Sequence, residues 1–220
     1  PRLSIYTCPN ANGEYTGMPF VTPTGIQDKF RASSPDWKSG QPLALTPTYS
    51  VPLMTYAELK FILCEYNGYD RQDYEDGVRA SLAYWYGLAG KTLSAADEDA
   101  YVAAVSKKVD AESCAIQKYL DLFTNGTEAW TEIRRTGYPE QLMRPGEIAC
   151  IYKDQPVKFT PLSDTKGDII ERVKYPTNES TLNGTNFKEA VAKLSDGTNN
   201  YYTKMYWDVR KSSYDHPANK

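Results

Sequence analysis

The sequence predicts a mainly α-helical chain, with a tetratricopeptide-like helical hairpin, further helices, long irregular loops and little β structure. Apolar residues recur at helical spacing from Met54 to Ile133. Eight of the 14 prolines crowd into residues 1–53, where turns such as Cys8-Pro9-Asn10-Ala11-Asn12-Gly13 break any period. Strand-like alternation is confined to one short stretch after Pro139.

Residues 1–53 therefore read as an irregular segment and residues 54–220 as the folded region. In Met54–Tyr66, Leu59, Ile62, Leu63 and Tyr66 step i, i+3, i+4, i+7, with Phe61 and Cys64 widening the stripe. Asn67-Gly68 stops this helix. Tyr74–Tyr86 follows, with Tyr74, Val78, Leu82 and Trp85 on one face, so the pair forms a hairpin. Ser94 caps the next helix, whose first turn holds Asp97, Glu98 and Asp99 at the positive end of the macrodipole. Its inner stripe is Tyr101, Val102, Val105 and Val109. Asp110 caps a helix bearing Ile116, Tyr119, Leu120 and Phe123, and Asn125-Gly126 ends it. Thr127 begins a short helix carrying Trp130 and Ile133. Ile148–Lys153 and Pro156–Thr160 flank Asp154-Gln155 as a small hairpin, and Asn186 with Glu189 opens a last helix. The segment Tyr201–Lys211 reads as extended.

Charge argues against a nucleic-acid partner: 25 basic and 28 acidic residues leave a net −3. The longest uncharged window, Ser39 to Ala57, is broken by Pro42, Pro47 and Pro52 and does not read as a membrane span. Cys8, Cys64, Cys114 and Cys150 lack metal-site spacing, and His216 is the single histidine, so no zinc site or cofactor is expected. Four cysteines allow three pairings, and spacing does not choose among them. The acidic run Asp70, Asp73, Glu75 and Asp76 lacks the ligand alternation of a calcium loop and fits a helix start better. Glu128 and Glu132 share a helix face as a glycosidase pair would, but a solvated surface explains them more simply. Arg134-Arg135 reads as a structural ion-pair element. No nucleophile–base set is legible, so the chain is expected not to be an enzyme.

The run Met54-Thr55-Tyr56-Ala57-Glu58-Leu59-Lys60-Phe61-Ile62-Leu63-Cys64-Glu65 resembles a helix of the SusD/RagB-like outer-membrane nutrient-binding proteins of Bacteroidetes. Tyr74–Ser81 resembles the next helix of that family, and Thr127–Pro139, with Trp130, Arg134 and Arg135, is similar to its most recognisable signature. Arg172, Tyr175-Pro176, Glu179 and Asn183 match its "R..YP..E...N" pattern, and Lys204 with Trp207-Asp208 its closing motif, where Tyr206 replaces a Trp. Cys64 stands where the family usually has Ala. The match covers roughly residues 54–210, which is expected to correspond to a C-terminal portion of such a protein, without its lipid-bearing cysteine. The resemblance implies capture of an oligosaccharide, or in some members a peptide, at the outer face of the outer membrane. The ligand would pass to a SusC-like TonB-dependent transporter, and the full-length protein would be held by a lipid anchor. Alternatives are a helical-repeat scaffold for protein partners and a helical glycosidase.

The resemblance places the motifs in the framework, so the ligand surface must lie elsewhere. Sugar recognition needs exposed aromatic faces beside polar groups. Trp85, Trp130 and Trp207 are assigned to the interior. Trp37, in the polar loop Ser33–Gly40, and Tyr49, in Pro47-Thr48-Tyr49-Ser50, are the candidate ligand-binding residues.

Overall fold

The computed structural model describes residues 1–10, 12–15, 43–140, 142, 145–160 and 170–210. The described residues up to Glu132 form one compact unit and those from Ile133 onward a second. The expected class holds: eight α-helices and one two-stranded sheet are present among the described residues.

In the first unit α1 (Leu3–Tyr6) and a 3-10 turn (Leu43–Leu45) precede α2 (Tyr56–Tyr66), α3 (Arg71–Leu88), α4 (Ala95–Val105) and α5 (Ala111–Asp121). Each of the four longer helices begins with a side-chain cap, which satisfies a backbone N–H the helix leaves unpaired. Thr55 accepts from the Glu58 amide, Asp70 from Asp73, Ser94 from Asp97, and Asp110 from Ser113 in a reciprocal capping box. Helix α2 ends where Gly68 and Tyr69 both take positive φ, letting the Tyr69 amide reach the Cys64 carbonyl at 2.7 Å.

The α3 stripe lies where its spacing predicts, with Tyr74, Val78, Leu82 and Trp85 all buried. Helices α2 and α5 turn differently from expectation. The inner face of α2 is Ala57, Glu58, Phe61 and Cys64, while Leu59, Ile62 and Tyr66 are exposed. The inner face of α5 is Cys114, Gln117, Lys118 and Asp121, and Tyr119 is exposed. The reason is polar partnership. Gln117 accepts from Arg2, Lys118 pairs with Glu132 at 3.2 Å, and Asp121 accepts from Thr55 and from Trp85 Nε1. These bonds allow polar side chains to sit where apolar periodicity alone would not place them.

Gly77 is required by the packing of α2 on α3. A Cβ at this position would lie 2.7 Å from Phe61 Cε1, and the Phe61 ring is itself buried edge-on to Tyr74. Gly87, in the same helix, has open space around it. Gly77→Ala is expected to destabilise by about 1–2 kcal/mol despite alanine's better helix propensity, because the core must be overpacked. Gly87→Ala should instead stabilise by about 0.5–1 kcal/mol. Urea unfolding of both variants checks the contrast, and equal shifts would contradict it.

Helix α6 (Gly126–Thr136) contributes residues to both units. The second unit then has β1 (Ile148–Tyr152) and β2 (Gln155–Lys158) as an antiparallel hairpin with Tyr152 opposite Gln155. Its turn is Lys153-Asp154, both at positive φ, one residue earlier than expected. After it come α7 (Glu179–Leu182) and α8 (Gly184–Ala192). Within the piece expected to be extended, residues 201–202 and 206–207 are turns, and Lys211 lies outside the described residues.

Candidate functional site

Trp37 lies outside the described residues. Tyr49 follows the 3-10 turn, held there by its amide on the Thr46 carbonyl at 3.1 Å. Its half-buried ring packs on the cluster of Ile5, Tyr6 and Trp85, and its hydroxyl meets Thr124 Oγ1 at 2.7 Å. Against the same turn is a shallow cleft of about 240 Å³, lined among others by Ser4, Thr7, Tyr15, Leu43, Thr46 and Lys91.

A second cleft, of about 330 Å³, opens in the second unit between α7, α8 and the irregular segment before them. Its apolar wall is Tyr175, Pro176 and Phe187, the two rings meeting edge to face at 6.2 Å. Asn199 fixes Tyr175 by clamping its main chain: the Tyr175 amide donates to Asn199 Oδ1 at 2.9 Å, and Asn199 Nδ2 donates to the Tyr175 carbonyl. Arg172 lies over the Tyr175 ring, 4.7 Å from its centre, and donates to the same Asn199 oxygen. The polar rim is a relay in which Asn186 donates to Asn183 at 2.7 Å and Asn183 donates to Glu179 at 3.3 Å. Such a rim offers acceptors and donors to ligand hydroxyls, while the rings offer apolar surface. Among the described residues lining it there is no nucleophile with an adjacent base.

The motif residues Arg172, Tyr175, Pro176, Glu179 and Asn183 thus gather around one cleft, a grouping that sequence reasoning assigned to the framework. Asn186 and Phe187 were read only as part of a helix. The available signal was the four-residue step from Glu179 to Asn183 to Phe187.

The other charged motifs are internal. Arg134 is buried, donates to the Glu171 carbonyl, and stacks on Trp207 at 4.6 Å. Burial pulls its guanidinium below the usual arginine range, with Asp208 and Glu171 opposing that shift. Glu171 is gripped by Arg210 through Nη2 and, at 3.4 Å, Nε. Burial nevertheless pushes the Glu171 carboxyl up to about 7, with Asp208 adding to the rise and Arg210 opposing it. Glu132 pairs with Lys118 at 3.2 Å. Burial also raises the Glu58 carboxyl above the ordinary range, with Lys118 opposing the rise. No helix among the described residues is long and apolar enough to cross a membrane.

Residues 1–160 match a SusD-like family described as "Starch-binding associating with outer membrane". No curated protein matches the chain. Among solved structures, a chitin-binding protein is 29% identical with a TM-score of 0.55, over 70% of this chain and 33% of that one. A SusD-like protein of Bacteroidetes AC2a is 25% identical with a TM-score of 0.53, over 72% of this chain and 30% of that one. The present chain therefore spans about a third of the length of those two proteins. With the family match reaching across both the helical hairpin and the signature helix, the chain belongs to this SusD-like family.

Proposed function

We propose that this chain is part of a non-catalytic receptor that binds an oligosaccharide at the outer face of the outer membrane and passes it to a SusC-like TonB-dependent transporter. Family membership supports the glycan and the location. The observation that carries the reading is the cleft of the second unit, where Tyr175 and Phe187 stand beside the Glu179–Asn183–Asn186 relay. A sugar ring has both surfaces this cleft can match, an apolar face for the rings and hydroxyls for the rim. Trp37 and Tyr49 are proposed as a further contact surface, the half-exposed Tyr49 ring being the part of it that is described. The lipid tether is proposed for the full-length protein.

Calorimetry with malto-oligosaccharides and chito-oligosaccharides tests this reading. Binding without release of reducing ends is expected. Asn183→Ala combined with Asn186→Ala should weaken binding about tenfold, and Trp37→Ala about thirtyfold, or on the order of 2 kcal/mol, with little change in melting temperature. Failure to bind any glycan would overturn the proposal, as would turnover. Affinity unaffected by Trp37→Ala would remove that residue from the ligand surface.

A further inference from the structure

Helices α2 and α5 each place one cysteine in the same core cluster, alongside Phe61, Tyr74, Val78 and Leu82. Cys64 is fully buried and Cys114 is 4% exposed. The Cys114 thiol donates to the Phe61 carbonyl at 3.5 Å, an oxygen one helical turn before Cys64 on the same face. The Cys114 sulfur is thereby held against the turn of α2 that carries Cys64, and both are free thiols in this structure. Their mutual interaction holds the Cys64 thiol below and the Cys114 thiol above the usual thiol range, and burial adds to the rise at Cys114. The remaining cysteines lie on other elements: Cys8 is buried just after α1, and Cys150 is half-buried in β1 of the second unit.

We propose that Cys64 and Cys114 form a disulfide that staples α2 to α5 when the chain folds in an oxidising compartment. Their proximity selects one of the six single pairs that four cysteines can form. The chemistry is thiol–disulfide exchange with an oxidised dithiol carrier or oxidised glutathione. Taking Cys64 as the first to react, its thiol loses its proton and the thiolate attacks one sulfur of the oxidant, breaking that disulfide and expelling a thiolate. Deprotonated Cys114 then attacks the Cys64 sulfur of the mixed disulfide and expels the second oxidant thiolate. Two electrons pass to the oxidant, and the two protons lost from the cysteines protonate its thiolates. Because both sulfurs are buried in the folded core, exchange takes place while α5 is still closing onto α2.

The pairing rests on the contact alone, whereas the oxidising compartment rests on the proposed export to the outer membrane. The test refolds the reduced full chain with oxidised glutathione, blocks free thiols by alkylation after denaturation, and maps a non-reducing digest by mass spectrometry. A Cys64–Cys114 linked peptide is expected, with Cys8 and Cys150 alkylated. Reduction should lower the melting temperature by about 10 °C, given the long loop closed by the bond. The Cys64→Ala/Cys114→Ala variant should lose that sensitivity to reduction. Alkylation of both cysteines after oxidative refolding, or a link through Cys8 or Cys150, overturns the pairing. A pair that forms in vitro but is found reduced in protein taken from the parent cell envelope overturns the proposed compartment and leaves the pairing standing.

Discussion

Replacing Trp85 by alanine is expected to cost about 4–6 kcal/mol, enough to unfold the first unit of this protein at ordinary temperature. The indole is fully buried and contacts three other rings, with Tyr6 at 5.0 Å, Tyr84 at 5.3 Å and Phe123 at 5.9 Å. Truncation leaves a cavity among aromatic groups held by separate elements, which cannot easily collapse. It also removes a hydrogen bond. Trp85 Nε1 donates at 3.2 Å to Asp121 Oδ1, a carboxylate buried to 2% exposure and otherwise served by Thr55. An unserved buried acceptor adds its own desolvation cost of about 1–3 kcal/mol. Trp85→Phe separates the two contributions, keeping much of the ring volume while losing the donor, and should cost about half as much. Circular dichroism during denaturant unfolding measures both, and a loss below about 1 kcal/mol for Trp85→Ala would contradict the assignment.

Arg210→Ala is expected to cost about 3–5 kcal/mol in the second unit. Arg210 is 1% exposed and uses Nε and Nη2 on the two Glu171 oxygens, while its own amide donates to Asp208 Oδ1 at 3.1 Å. Removing the guanidinium leaves Glu171 buried beside Asp208, whose Oδ2 has no hydrogen-bond partner among the described residues. The pH dependence follows from the sign of the Glu171 shift. Its carboxyl is raised in the fold to about 7 from an ordinary value of 4.5, chiefly by burial. The fold therefore favours the protonated form. This contribution is fully present below pH 4.5 and is lost as pH rises through about 7. Arg210→Ala should steepen that loss, since the cation opposing protonation is gone. Adding Glu171→Gln to Arg210→Ala should recover much of the stability and flatten the profile. Melting curves at pH 5 and pH 8 decide, and equal destabilisation at both would show that the charge pair is not the cause.

Much of the helical framework was legible because its signals are local. Ser94 and Asp110 were read as caps from residue type and position, and they bond as caps. The α3 stripe was legible because all four of its inner residues are apolar. The inner faces of α2 and α5 were not, because Glu58, Gln117, Lys118 and Asp121 are buried there. Their burial depends on partners such as Arg2, Thr55 and Glu132 that no helical period reveals. The β-hairpin was visible in outline, yet its turn falls on Lys153-Asp154, and nothing in those two residues demands positive φ as Asn-Gly would. For the cleft, the residues were quotable as a motif, but their convergence was not. It depends on the break at Asn183 between α7 and α8, which brings Phe187 edge-on to Tyr175.

The left-handed turn at Gly68 and Tyr69 has a kinetic consequence. It lets α3 return along α2 after only Asn67–Asp70, so Phe61 meets Gly77 by closing a very short loop. Loop-closure entropy is small there, and the two-helix hairpin is the first long-range contact the chain can afford. Helix α5 reaches α2 only after α3 and α4 have been threaded between them in sequence. The docking of α5 is then a costlier closure than that of the hairpin, and its arrival brings Asp121 to Trp85.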